Sequence, residues 1–86
     1  MPEYRVTLKS SAEKEFFRLP EPISVRIFTR IKTLGTDPRP QGCKKLRGGH
    51  DAWRIRVGDY RVIYTIDDKE KNVKVTRIGH RREVYE

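Results

Sequence analysis

The sequence has little of the chemistry that builds disulfides or metal centres. One of its 86 residues is cysteine and two are histidine. A single Cys43 excludes an intrachain disulfide, and Cys43, His50 and His80 form neither a CxxC pair nor a paired-histidine spacing. We therefore expect no metal and no other cofactor. Cys43 has no obvious activating partner nearby in the sequence and is interpreted as an ordinary loop thiol.

Long apolar runs are also missing. No run approaches the roughly 20 residues that would cross a bilayer, and the segment from Met1 to Lys9 lacks the apolar stretch of a secretory signal. We expect a cytoplasmic protein with no membrane partner. The chain is too short for a second independent core, so we predict one domain over residues 1–86.

Negative charge is scarce relative to positive charge. Twenty Lys and Arg residues against 12 Asp and Glu residues give a net charge of +8. Such an excess favours polyanionic partners, and nucleic acid is the first candidate. A surface that is merely well solvated is the alternative that composition leaves open.

The spacing of apolar residues predicts a strand followed by two helices. Tyr4 to Leu8 alternates apolar and polar residues, which is typical of a half-buried strand. Ser10 and Glu13 have the spacing of a capping box, and apolar positions then recur up to Leu19. A second apolar stripe at helical spacing begins after Pro22 and ends near Gly35.

The second half of the chain predicts a loop and three strands. Thr36 to Gly49 is expected to be mostly loop, with a short extended piece around Leu46. A hairpin follows with Gly58-Asp59 as its two-residue turn, and Val73 to Gly79 forms the last strand. The predicted fold is therefore α+β in the order β-α-α-β-β-β, with a helical hairpin packed on one face of a mainly antiparallel four-stranded sheet.

The hairpin register places three arginines on one surface. With Gly58-Asp59 as the turn, Arg56 lies opposite Arg61, and Arg54 shares their face, away from the helices. Like charges directly opposed across strands are destabilising, so this face favours an anionic ligand. The alternative is a solvated face that nearby carboxylates partly neutralise.

The C-terminal segment RIGHRREVY adds further cations, an imidazole and an aromatic ring. Guanidinium groups pair with phosphates, and bases stack on aromatic rings. Metal-free RNA cleavage by the 2′-hydroxyl needs in-line positioning, proton transfer and cations around the phosphate. His80 can exchange a proton near neutral pH and Tyr85 can position a base or donate a proton, and the sequence leaves that choice open. The segment can also be an ordinary basic tail with Tyr85 packed on the sheet edge.

Three motifs together resemble the RelE/ParE toxin superfamily, especially its RelE branch. They are KLRG at Lys45–Gly48, WRIRVGDYRVIY at Trp53–Tyr64 and RIGHRREVY at Arg77–Tyr85. The resemblance implies a toxin of a type II toxin–antitoxin module that cuts mRNA in the ribosomal A site and arrests translation. It also implies a cognate RelB-like antitoxin, and a toxin–antitoxin complex that can bind its own operator DNA.

The resemblance also implies which residues serve the reaction. It assigns roles to Arg54, Arg56, Arg61, Arg81 and Tyr85. Arginine stays protonated, so positions 54 and 56 suit phosphate binding better than proton transfer, and His80 becomes a candidate proton acceptor. The predicted catalytic residues are thus Arg61, Arg81, Tyr85 and His80, and the predicted RNA- or phosphate-binding residues are Arg54, Arg56, Lys45, Arg47, Arg77 and Arg82.

Two rival functions remain open. The ParE branch shares the fold but inhibits DNA gyrase, and fold alone does not separate it from the RelE branch. The third possibility is a noncatalytic module that binds nucleic acid together with an antitoxin.

Overall fold

The computed structural model describes residues 3–47 and 51–80. Two helices cover one face of a single sheet, and within these residues neither helix is long and apolar enough to cross a membrane. The elements in chain order are β1 (Arg5–Leu8), α1 (Ser10–Phe17), α2 (Ile23–Thr33), β2 (Lys44–Lys45), β3 (Ala52–Val57), β4 (Tyr60–Asp67) and β5 (Asn72–His80).

The sheet has the strand order β1-β5-β4-β3-β2. β1 runs parallel to β5, whereas the other neighbouring strands are antiparallel. The predicted α+β fold and its four main strands are confirmed. The fifth strand, β2, was predicted only as an extended piece, because two residues are too few to show a period. Its residues Lys44 and Lys45 pair with Arg54 and Trp53.

The core lies between the helices and the sheet. Residues of β3, β4 and β5 point toward the helices at alternate positions, apart from one interruption in β5. The helices contribute apolar side chains at spacings of three and four. The buried core residues include Ala12, Ile27, Ile31, Leu34, Ile55, Val57, Val62, Tyr64, Val73, Val75 and Ile78.

The start of α1 differs from its prediction. The helix begins at Ser10, Lys9 occupies the N-cap position, and no side-chain hydrogen bond caps it. The backbone N–H of Glu13 donates to the carbonyl of Lys9 at 2.9 Å. The predicted capping box between Ser10 and Glu13 was therefore wrong, because Ser10 already lies inside the first turn.

A β-bulge interrupts the pairing of β4 with β5. Ile63 pairs with Arg77 and Tyr64 pairs with Val75, so Thr76 is an additional residue on β5. The hydroxyl of Thr76 donates to the carbonyl of Ile63 at 3.2 Å. Because an extra residue shifts the alternation by one, every β5 side chain beyond Thr76 lies on the face opposite to the one an unbroken strand would give it.

Candidate active site

The face of β3 and β4 opposite the helices carries the predicted arginines. The structure pairs Arg56 with Arg61 and Arg54 with Ile63, which confirms the predicted register. Gly58 has φ of 62°, as a glycine in the first position of a type II′ turn requires. The intervening residues Ile55 and Val57 are buried under the helices, so the arginines point the other way.

Arg56 and Arg61 border a shallow depression of about 90 Å³ next to the turn. Gly58, Asp59 and Tyr60 also line it. On the next strand Arg61 lies beside Gly79, which is itself buried. Two opposed guanidinium groups beside this depression form a suitable place for a phosphate group, which accepts several charge-assisted hydrogen bonds.

Arg54 differs from the other two arginines because it is only 5% exposed. It lies between Lys44 of β2 and Ile63 of β4, so pairing with β2 makes β3 an interior strand at this position. Arg54 therefore lies on the predicted face of the sheet, but its burial was not predicted. A ligand arriving from solvent meets the exposed Arg56 first.

His80 lies on the helix-facing side of the sheet. It pairs with Tyr60, and the two rings meet edge to face with centroids 5.6 Å apart. The bulge at Thr76 explains this position, because it turns Ile78 and His80 toward the helices and Arg77 and Gly79 toward the arginine face. The structure thus brings Arg54, Arg56 and Arg61 together but separates His80 from them.

Arg77 contacts a residue that the sequence did not single out. Its Nε lies 3.3 Å from Oε2 of Glu15 on α1. The other oxygen of Glu15 accepts the backbone N–H of Ile78 at 2.9 Å. Because β1 ends where Leu8 pairs with Val75, Glu15 replaces the missing strand along this part of β5. Arg77 therefore helps hold α1 on the sheet edge.

The remaining predicted binding residues are dispersed or outside the described part of the chain. Lys45 lies beside Trp53, with its Nζ 5.9 Å from the ring centroid and 3.8 Å from Asp51 Oδ1. Arg47 is exposed in the turn after β2. The predictions for Arg81, Arg82 and Tyr85 fall outside residues 3–47 and 51–80. Within those ranges no cluster of His, Cys, Asp and Glu could hold a metal ion.

A second charged cluster lies at the opposite end of the sheet. Arg39 forms two hydrogen bonds to Asp68, at 2.9 and 3.3 Å, and stacks on Trp53 at 5.1 Å. The hydroxyl of Tyr4 donates to the same carboxylate at 2.6 Å. The hydrogen bonds from Arg39 and Tyr4 lower the pKa of Asp68 to about 2. Sequence reasoning missed this cluster because 64 residues separate Tyr4 from Asp68.

Comparisons with known proteins agree with this architecture. The sequence model of the family described as "ParE toxin of type II toxin-antitoxin system, parDE" matches residues 6–85. Toxin RelE of Mycobacterium tuberculosis is 36% identical over 87 residues, which cover 95% of this chain and 86% of that protein. Toxin RelG of the same organism is 28% identical over 83 residues, covering 95% of each chain.

Solved structures show the same fold. The toxin in the archaeal RelE–RelB complex from Pyrococcus horikoshii superposes with a TM-score of 0.82 and 31% identity, covering 95% of this chain and 99% of that one. In the intact E. coli RelBE toxin–antitoxin complex, the matched chain gives a TM-score of 0.79 and 25% identity, with 90% and 95% covered.

The class defined by this fold is a small α+β toxin with a helical pair on one side of its sheet. The chain belongs to the RelE/ParE superfamily of toxins of type II toxin–antitoxin systems, because the family match spans nearly its whole length. Its RelE-like character follows from the RelE and RelG relatives and from the RelE structures it superposes on.

Proposed function

We propose that this toxin is a ribosome-dependent endoribonuclease that cleaves mRNA in the ribosomal A site and so arrests translation. The observation that carries the proposal is the direct opposition of Arg56 and Arg61 on the sheet face away from the helices. Like charges held together in this way stabilise an anion that bridges them. The scissile phosphate of RNA is an anion of that kind.

The proposed reaction is attack by the ribose 2′-hydroxyl on the adjacent phosphorus, without a metal ion. A new 2′-oxygen bond to phosphorus forms while the bond to the 5′-oxygen breaks, leaving a 2′,3′-cyclic phosphate. A base takes the proton from the 2′-oxygen, and an acid gives a proton to the 5′-oxygen. Arg56 and Arg61 hold the phosphate and stabilise its additional negative charge.

Residue roles around that phosphate follow from geometry and from the family resemblance. The buried Arg54 supports the strand beneath the phosphate rather than reaching it from solvent. Arg81 and Tyr85 are proposed as a further phosphate ligand and a proton-transfer group by resemblance alone. His80 is the weaker candidate for the proton acceptor, because its ring packs against Tyr60 on the opposite face.

The composition of the arginine face supports dependence on the ribosome. Arginine cannot accept a proton near neutral pH, so the arginines of this face stabilise charge well but cannot act as the base. Such a site gains most from a partner that already holds the mRNA in line for attack. The proposed macromolecular substrate is therefore mRNA bound in the A site.

A cognate antitoxin of the RelB type is the proposed regulatory partner, and the complex is proposed to bind its operator DNA. Similar toxins are found in complex with RelB. An apolar groove of about 270 Å³ beside β1 supports a protein partner here, since its lining includes Phe17 and Phe28, which are 76% and 51% exposed. Exposed apolar patches of this kind typically mark protein interfaces.

The test is toeprinting on a defined mRNA in a purified translation system. Wild-type protein is compared with an Arg61→Ala, Arg81→Ala double variant and with a Lys14→Ala, Lys69→Ala control that removes the same charge elsewhere. We expect cuts within A-site codons that require ribosomes, persist in the control and disappear in the arginine variant. Intact mRNA on actively translating ribosomes would overturn the proposal.

The second candidate is a ParE-like inhibitor of DNA gyrase, favoured by the family description that matches residues 6–85. If the mRNA stays intact, a gyrase supercoiling assay with the same three proteins is the next measurement. Inhibition of supercoiling supports this candidate. Inactivity in both assays, together with binding to RNA or operator DNA, supports the noncatalytic module.

A further inference from the structure

A cleft of about 300 Å³ lies on the helix-facing side of the sheet, between the C-terminal end of α1 and the last residues of β5. Its position separates it from the depression bordered by Arg56 and Arg61, which faces the other way. The cleft is large enough for a small planar group, since it lies at the lower end of the roughly 300–1,000 Å³ typical of ligand pockets. Its lining includes Glu15, Arg18, Leu19, Pro20, Tyr60 and His80.

The cleft and the arginine depression meet at one residue. Tyr60 lines both of them, and it directly precedes Arg61 in the chain. Consecutive Cα atoms lie 3.8 Å apart, and consecutive strand side chains point to opposite faces. A nucleic acid strand whose phosphate rests on Arg61 can therefore reach the cleft by crossing the hairpin end of the sheet at Tyr60.

The walls of the cleft combine apolar and aromatic surfaces. Leu19 and Pro20 supply apolar surface, and Tyr60 and His80 supply two rings in edge-to-face contact. The guanidinium of Arg18 is exposed on the same cleft. Unpaired RNA bases are commonly held by stacking on aromatic rings or guanidinium planes and by hydrogen bonds to their edges.

Among the described residues that line the cleft, the one carboxylate is already engaged. Glu15 accepts the backbone N–H of Ile78 at 2.9 Å and lies 3.3 Å from Arg77 Nε. Its negative charge is therefore balanced within the fold, which reduces repulsion of a nearby phosphate. The cleft can accept a base attached to an anionic backbone.

We infer that this cleft binds one unpaired RNA nucleobase, next to the phosphate held by Arg56 and Arg61. The inference rests on the proposed function in that the neighbouring phosphate belongs to RNA. The base can come from the mRNA beside the cut or from ribosomal RNA. The chemistry is the same for both sources: a flat heterocycle stacks in the cleft, and Arg18 contacts it at the mouth.

The first test measures binding to the isolated full chain by ¹⁵N NMR. Adenosine 5′-monophosphate and cytidine 5′-monophosphate are the probes, and ribose 5-phosphate is the control that lacks a base. We expect the nucleotides to shift the amide signals of Arg18, Leu19 and Gly79, with a much weaker response to ribose 5-phosphate. Equal shifts from all three probes, or no shifts at the cleft, would overturn the inference.

Matched variants connect the binding to the cleft. Arg18→Ala is expected to weaken nucleotide binding by roughly fivefold or more, the lower end of a stacking contribution. Lys14→Ala removes the same charge from α1, four residues before Arg18 and outside the lining of the cleft, and should leave binding unchanged. Equal effects from the two variants would indicate general charge attraction and overturn the inference.

Sequencing of cleavage ends on programmed ribosomes identifies the source of the base. If the base belongs to mRNA, Arg18→Ala changes the nucleotide preference beside the cut. If it belongs to ribosomal RNA, Arg18→Ala raises the ribosome concentration needed for half-maximal cleavage and leaves the preference unchanged. If Arg18→Ala cleaves mRNA with neither a changed preference nor a higher ribosome requirement, the inference about the cleft is wrong and the proposed function stands. If nucleotides bind in the cleft but the wild-type protein cleaves no mRNA, the proposed function is wrong and the cleft still binds a base.

Discussion

The two ends of the sheet arrange their positively charged side chains differently. At the anchored end, which comprises Glu3, Tyr4, Arg39, Asp68 and Lys71, cations lie beside carboxylates. Arg39 is 2.9 Å from Asp68, and Lys71 is 3.0 Å from Glu3. At the hairpin end, which comprises Arg56, Gly58, Asp59 and Arg61, the register sets two cations directly opposite each other.

This difference indicates what each end does. Ion pairs at the anchored end fasten the loop after α2 and the start of β1 to the sheet. The opposed arginines at the hairpin end disfavour strand pairing instead, and we propose that an anionic ligand bound by both of them explains this arrangement. Like charges that are held together against stability are therefore the reason for proposing the hairpin end as the functional end of this protein.

The largest expected effect tests whether the two ends differ in function, and it comes from removing one arginine from each end. Arg61→Ala should slow mRNA cleavage about 100-fold or more, because a preorganised donor to the reacting phosphate is lost. Arg39→Ala should lower the urea midpoint and leave the cleavage rate of the folded protein unchanged. Single-turnover cleavage and urea unfolding measure the two effects. A similar loss of cleavage in both variants would show that the ends are not functionally distinct.

Near the anchored end, a buried hydrogen bond is expected to contribute more to the free energy of unfolding than the exposed contacts there. The hydroxyl of Tyr64 donates to the carbonyl of Pro38 at 2.8 Å, and burial raises the pKa of this tyrosine. Tyr64→Phe leaves that carbonyl without its donor and should lower the free energy of unfolding by about 1–3 kcal/mol. Tyr4→Phe, which removes an exposed hydroxyl, is the matched control and should have a smaller effect in urea denaturation.

Reversing the charge of Arg56 tests whether the hairpin end sacrifices stability for ligand binding. Arg56→Glu replaces a like-charge pair with an opposite-charge pair facing Arg61. We expect the free energy of unfolding to rise by up to about 1 kcal/mol while cleavage falls. Arg56→Gln separates loss of the positive charge from gain of the negative one. A destabilised Arg56→Glu protein with normal cleavage would contradict the assignment of this end to ligand binding.

The smallest expected effect is a pH dependence at the anchored end. Asp68 has its pKa lowered from 3.8 to about 2 by hydrogen bonds from Arg39 and Tyr4. Its contribution to stability is therefore fully present above about pH 4 and is lost as the pH falls toward 2. In the Asp68→Asn variant the urea midpoint should change less with pH over this range. An unchanged acid profile in the variant would show that the cluster contributes nothing measurable.

Much of the arginine face could be predicted because a tight hairpin is a local structure. The two-residue turn at Gly58-Asp59 sets the register, and the register sets which side chains share a face. The pairing of Arg56 with Arg61 followed from those residues alone. The burial of Arg54 could not be predicted, because it depends on β2, whose two residues carry no periodic signal.

The side of the sheet that His80 occupies was beyond sequence reasoning for a different reason. A β-bulge leaves no clear mark in the spacing of apolar residues, yet the one at Thr76 reverses the alternation of β5. Without it His80 would lie on the arginine face, where a proton acceptor is most useful. The sequence therefore suggested that His80, the candidate base, lies near the candidate phosphate ligands Arg56 and Arg61, whereas the structure places it on the opposite face of the sheet.

The sequence by itself determined the order of the elements and the hairpin register, because each depends on residues close together in the chain. It also determined the excess of positive charge, which is a matter of composition alone. The tertiary structure decided the bulge, the burial of Arg54, the Glu15 contact on β5 and the Arg39–Asp68 cluster. Each of these depends on contacts between separate elements, and the last two join residues that are 63 and 29 positions apart. Their energies depend on which strands and helices become neighbours, and local spacing does not specify that choice.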